Sequence, residues 1–421
     1  MKYTRQLFLR LVAACFFLAF ASLYIQWDGL FGIDGLEPAA VTLQSKNQNP
    51  NPLFNSILNS YIEYGLSIDL FAEGLLLIGM LASMLATLFP KQFAILPCLL
   101  LIQIVYLSFY LVGGTFLSFQ WDILLLETGW LACAWSPWLP VTEPYKASHA
   151  MKWMIRFLIF KLMFQSGVVK VQANCQTWLS LSALKYHYAT QCLPTPFAWY
   201  MHQLPYLVQQ ISVAACLIIE IPASFLLISP FKASRKIGVY CQVLLQVLIL
   251  CTGNYNFFNF LTMVLCIPCL EDSYFNGAVE DDEEEEEEFT MTILDVNGIQ
   301  TSFQSLLSYL EKKYLTFIVF TIAPMCYVTY LMIGVTSTEE VVELKLKITV
   351  KQTNEWIDAW LPIFLLIVSS CIGMIMLQEI VTSIGRLAIS ISNGVTEGCT
   401  SNKNQKIKDQ MEDEEDDENN S

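Results

Sequence analysis

Apolar runs close to twenty residues long recur along this chain, and that recurrence decides which solvent it folds in. The run LVAACFFLAFASLYI follows a basic start (Lys2, Arg5, Arg10), and two more occupy 71–89 and 93–117, hinged at Phe89-Pro90-Lys91. A helix needs about 20 apolar residues to cross a bilayer core. In lipid only helices or closed barrels can pair all their backbone groups. Further runs at 119–136, 154–172 and 204–228 extend the series. The stretch 237–270, interrupted by GNYNFFNF, is either two short spans joined by a hairpin or one long broken helix. Spans near 315–335 and 358–378 close the membrane part. The sequence thus predicts an all-α fold: a polytopic transmembrane helical bundle of about 8–10 spans, with lumenal loops and acidic disordered segments.

Composition supports this reading. Of the 421 residues 55% are hydrophobic and only 14% charged, against about 25% charged in soluble domains. The net charge of −15 resides in two appendages, Glu280–Glu288 and the acids between Asp409 and Glu418; without those seventeen residues the body carries +2. No basic face is left to neutralise phosphates, which argues against nucleic acid as a partner. The lipid bilayer is the first partner to expect. Four segments follow: a membrane domain over 1–270, an acidic loop and short polar helix over 271–314, C-terminal spans over 315–380, and a polar acidic tail over 381–421.

Orientation comes from lysine and arginine, which concentrate on the cytosolic side. The basic start places the N-terminus in the cytosol, and no small-x-small cleavage site closes the first run, so it reads as a retained span. Lys232, Arg235 and Lys236 return the chain to the cytosol after span six, making the loop 173–203 lumenal. Span parity beyond residue 237 stays open.

Polar residues at membrane depth are expensive and mark function or helix–helix ties. Asp122, Glu127, Lys161, Glu220, Gln242 and Gln246 form the candidate buried polar network. On a helix Gln120 and Glu127 share a face with Asp122 off it, and Gln209, Val213, Cys216 and Glu220 line one stripe. Lys161 and Lys170, nine apart, point to opposite sides. Counting depth at about 1.5 Å per residue pairs Glu220 with Lys161 and leaves Lys170 to the loop. That loop supplies the other candidates: Trp178, His187, Tyr188, Trp199 and His202, with Cys175 and Cys192 as a candidate disulfide. Two histidines without an acidic ligand are weak grounds for a metal site, and none is expected. Cys266 and Cys269 have the C-x-x-C spacing but stand alone in an apolar segment, where they read as core. No G-x-S-x-G, H-E-x-x-H, Walker A or suitably placed G-x-G-x-x-G is present. Neither an enzyme nor a cofactor is expected.

Four long motifs carry a family resemblance: QWDILLLETGWLA (120–132), FKLMFQSGVVKV (160–171), YHYATQCLPTPFAWYMHQLP (186–205) and TGNYNFFNFLTMVLC (252–266). With GLFGIDGLEPA (29–39) they resemble the lipase maturation factors, over about 1–270. The resemblance implies a multi-pass membrane protein of the endoplasmic reticulum. It would assist folding, assembly and maturation of secreted proteins such as homodimeric lipases, in a chaperone-like way. Client lipases or other folding proteins of that compartment are then the expected partners. The family's closing region around P-H-Q-P-R-L-D-W does not appear in this sequence, which implies a truncated isoform or a divergent member. A shorter resemblance, carried by Lys170, Trp178-Leu179 and Glu220, is to vitamin-K-dependent carboxylase-like membrane domains. It implies a membrane enzyme or ligand-binding protein built on Lys170 and Glu220.

Overall fold

A computed structural model describes residues 2–47, 58, 64–140, 148–191, 193, 195–276, 323–337 and 342–381. The acid runs at 280–288 and 409–418, the polar helix expected at 302–314 and Cys192 lie outside the described residues. The chain divides into two compact units, Met1–Trp360 and Leu361–Ser421.

The first unit is built on helix α1 (Lys2–Leu30), whose 29 residues run about 43 Å. Its first turn is closed by a distant carboxylate: Asp272 accepts from the backbone N–H of Tyr3 (3.2 Å) and of Thr4 (3.1 Å), where the helix dipole favours negative charge. After α2 (Ala39–Asn47), α3 (Ile68–Leu88) runs back along α1, capped by Ser67, whose Oγ accepts from the Leu70 N–H at 3.3 Å. A Cβ on Gly79 would lie 2.7 Å from the Phe20 ring, so the glycine lets the α1 ring lie on the α3 backbone, as small residues do between membrane helices.

The hinge at Pro90 forms the short α4 (Pro90–Phe93), followed by α5 (Leu96–Tyr110), α6 (Gln120–Trp135) and α7 (His149–Gln172). The loop after α7 folds into α8 (Gln176–Leu179), α9 (Ala183–His187) and α10 (Pro196–His202) before α11 (Tyr206–Glu220). A 3-10 segment, Ala223–Ile228, carries α11 onward. The interruption at GNYNFFNF resolves as a hairpin: α12 (Lys232–Thr252) packs on α13 (Phe258–Cys266). One apolar core joins α1, α3, α5, α6, α7, α12 and α13, and includes Cys266 and Cys269.

The starts of α1, α7 and α12 meet the end of α13 at one end of the bundle; the loop 173–205 lies at the other. Tyr3–Leu30, Ile68–Leu88, Tyr206–Ile228, Lys232–Thr252 and Val350–Val381 are long and apolar enough to cross a membrane. Leu96–Tyr110 and Phe258–Cys269 are shorter apolar helices, because a hinge or a break cuts them. One segment departs from the expected span at 315–335. Helix Ala323–Met332 gives way to strand β1 (Ile333–Ser337), paired antiparallel with β2 (Val342–Leu346), Val335 facing Leu344. The alternation in VELKL is a strand period, and the tail of Leu346 packs with Leu217 and Val213 of α11. In the second unit the described residues, 361–381, are helical.

Candidate functional site

Near the end of α7, Lys170 meets Glu220. Its Nζ lies 2.6 Å from Oε1 and 2.5 Å from Oε2, and 3.2 Å from the carbonyl of Ser166. The Trp178 ring sits over the ammonium, 5.1 Å from centroid to Nζ. Glu220 is buried and Lys170 largely so. The approach of the two helices depends on Gly167, since a Cβ there would lie 2.4 Å from Ile221 Cγ1 and 2.9 Å from Glu220 Cβ.

This corrects the pairing expected from depth counting. Lys161 pairs with Glu127 of α6 instead (2.8 Å), on the outer face, where both side chains are more than a third exposed. Lys170 belongs to the last turn of α7, not to the loop. Depth counting assumes that consecutive helices start and stop at one plane, which holds only for a short connection. Here the connection 173–205 carries three short helices, so α11 begins well beyond the end of α7 and brings its own C-terminal turn beside Lys170.

The loop residues form a partial shell. His187 Nε2 lies 3.1 Å from the hydroxyl of Tyr255, with the two rings nearly parallel. Burial, and then the Lys170 charge, pushes His187 below its ordinary pKa. Tyr188 is buried, whereas Trp199 is exposed on α10 beside Phe197 and Tyr200. His202 stands apart, its buried Nδ1 without a hydrogen-bond partner among the described residues. Cys175 is a free thiol whose Sγ lies 3.1 Å from Thr177 Oγ1. It stands at the start of α8, and its expected partner Cys192 lies outside the described residues. Among the described residues no group of three or more His, Cys, Asp or Glu could hold a metal.

The remaining expected residues separate. Asp122 is buried in the first turn of α6 and accepts from Tyr106 Oη at 2.7 Å. Gln242 donates to the carbonyl of Ile219 at 2.9 Å, and Gln246 lies 3.9 Å from Met163 Sδ. They bind helix to helix and do not converge on one site.

A second ionic centre went unread in the sequence. At the N-terminal end of the bundle Glu271 pairs with Lys152 (2.7 Å), Arg156 (3.1 Å) and Arg235 (2.5 Å). The two arginines also cap chain ends, Arg156 on the carbonyl of Pro268 and Arg235 on those of Cys269, Ser229 and Pro230. Burial by itself would push the Glu271 carboxyl up; Lys152, then Arg156 and Arg235, reverse this and hold it down at about 2. The signal was available: each arginine lies in the opening turns of its helix, and Glu271 follows directly on the apolar run CIPCL.

The lipase maturation factor transmembrane domain model matches residues 3–277, which holds every helix from α1 to α13 and both ionic centres. The chain belongs to the lipase maturation factor family. It is 43% identical to lipase maturation factor 2 of Gallus gallus over 288 residues, 64% of this chain and 39% of that protein. Identity to the Homo sapiens protein of the same name is 42% over 289 residues, 65% and 40% of the two chains. Lipase maturation factor 1 of Mus musculus is 30% identical over 286 residues, 64% and 48%. The chain thus spans about two fifths of the length of its lipase maturation factor 2 relatives. No solved structure matches it. With the family in hand, the fold is an all-α, polytopic transmembrane bundle, a multi-pass membrane protein in contact with the lipid bilayer.

Proposed function

We propose that this chain is an endoplasmic-reticulum membrane factor, N-terminus cytosolic, that assists folding, assembly and maturation of secreted proteins such as homodimeric lipases without catalysing a reaction. Membership of a family whose relatives are named maturation factors carries the reading. The cations Lys152, Arg156 and Arg235 at one end of the bundle support the orientation. Loop 173–205, at the other end, then faces the lumen and is where a client would be met. Exposed Phe197, Trp199 and Tyr200 suit the aromatic belt at that membrane surface.

One observation favours a second reading, an enzyme of the carboxylase-like type: Lys170, Glu220 and Trp178 do come together. The geometry weighs against it. An ammonium has three N–H donors, and those of Lys170 are engaged by Oε1, Oε2 and the Ser166 carbonyl. A general base must reach a substrate proton, and this group is committed to holding α7 on α11.

The test is secretion of active lipase from cells deprived of their own maturation factor. Expression of this chain should restore it, and no restoration at normal chain abundance overturns the reading. Lys170→Arg, which keeps the pair, should behave as wild type; loss of lipase output at full abundance would support the enzyme instead.

A further inference from the structure

Between α1, α5, α6 and the start of α13 lies a partly open cavity of about 210 Å³. Its walls are largely aromatic: Phe31, Phe116, Phe119 and Trp121, the last two stacked at 4.6 Å between centroids. Asp122 is in the lining. The residue is 2% exposed, and while Oδ1 is held by Tyr106, Oδ2 has no hydrogen-bond partner among the described residues. Among the described residues no lysine, arginine or histidine lines the cavity, and Tyr106 is the only other titratable group in it.

We infer that this cavity binds an organic ammonium cation, with Asp122 as its counter-charge. A carboxylate held among apolar walls without a cation is costly and calls for a positive partner. Aromatic faces carry negative quadrupole density and form the cages that hold quaternary ammonium groups. A metal ion is the poorer fit: among the described residues Asp122 is the single His, Cys, Asp or Glu side chain in the lining, whereas a calcium site is built on several carboxylate and carbonyl oxygens. The approach is acidic as well. Asp28 and Asp34 are exposed on either side of the wall residues Leu30 and Phe31. Glu37 holds the turn that supplies Phe116 by accepting from the Thr115 N–H at 3.1 Å. Acid-lined clefts of this kind concentrate cations. Asn256, in the left-handed region at φ 52°, presents its amide 3.5 Å from Ser22 Oγ across the opening. The volume suits a choline- or ethanolamine-sized head and little more. That head belongs to a free amine or to a zwitterionic lipid. The site is separate from the Lys170–Glu220 centre and does not depend on the maturation role.

The experiment follows Trp121 emission, taken as the difference between wild type and Trp121→Phe, in nanodiscs titrated with choline. In phosphatidylglycerol discs choline should give a saturable change, at least tenfold weaker in Asp122→Asn. Ser22→Phe, which fills the cavity and leaves the carboxylate in place, should weaken it as much, so a poorly folded Asp122→Asn leaves the test intact. The neutral isostere 3,3-dimethylbutanol should give no comparable change. In phosphatidylcholine discs, a signal already shifted and no longer responsive to choline identifies the lipid head as the ligand; a response equal to that in phosphatidylglycerol identifies the free amine. An unresponsive Trp121 with the same emission in both discs, equal binding of the isostere, or unchanged affinity in both variants overturns the proposal.

Discussion

Lys170 and Glu220 share a charge-assisted contact whose two partners lie fifty residues apart in sequence. Leaving one charge of such a buried pair alone costs about 3–5 kcal/mol, whereas removing both costs less. Lys170→Ala and Glu220→Ala should therefore each lower the steady-state level and melting temperature, and the double variant should recover part of the loss. Exchanging the charges (Lys170→Glu with Glu220→Lys) should exceed either single change; a swap no better than the singles shows that the contact does not hold the helices. Glu271 has a different signature, in pH. Its carboxyl is held at about 2, below the unfolded value of about 4.3, so the unfolded chain binds more protons in between. The stabilisation, about 3 kcal/mol from linkage, is then complete above about pH 4.5 and disappears as pH falls through 2. In detergent, the melting advantage of wild type over Glu271→Gln should be constant from pH 7 to 5 and close between pH 4.5 and 2. An advantage that persists at pH 2 rules out this origin. The polar residues themselves were legible, because an acid or base inside an apolar run stands out. Their partners were not, since spacing within one helix fixes the side a residue faces and says nothing of how far a neighbouring helix has slid.

At the scale of elements, helix approach rests on absent side chains. A Cβ at Gly167 would press into Ile221 and Glu220, and overpacking of this kind costs about 1–3 kcal/mol. Gly167→Ala should lower the melting temperature, and adding Ile221→Ala, which vacates the space, should return part of it. If the second change only adds to the first, α7 and α11 do not meet at this point. The sequence shows the breaks between helices better than these contacts. Pro90 and the GNYNFFNF run both mark real ends, at Leu88 and Thr252, through a missing N–H and through short polar residues that favour turns. The β1–β2 strand pair was hidden by the apolar stretch preceding it, which extends the apparent span past Met332. The alternation that identifies the strand is only five residues long on either side, too short to outweigh a hydropathy window.

At the scale of the whole membrane domain, the α12–α13 hairpin resolves the stretch 237–270 into two antiparallel segments. It returns the chain to the end where α1 begins, and Asp272 closes that helix. The helices α1, α7 and α12 therefore all start from one side, with Cys175 at the other. Cys175 offers a direct check of which side faces the cytosol. The Thr177 hydroxyl and then the Trp178 backbone pull its thiol below the ordinary cysteine pKa, and thiolate is the form that reacts with maleimide. In sealed microsomes from cells expressing a variant whose only cysteine is Cys175, a membrane-impermeant maleimide should fail to label until detergent opens the lumen. Lys236→Cys, exposed at the start of α12, placed on a cysteine-free background should label at once. The opposite pattern would turn the molecule over, setting Lys152, Arg156 and Arg235 in the lumen against the charge rule for membrane loops, and would move the expected client-facing side from loop 173–205 to the Glu271 centre.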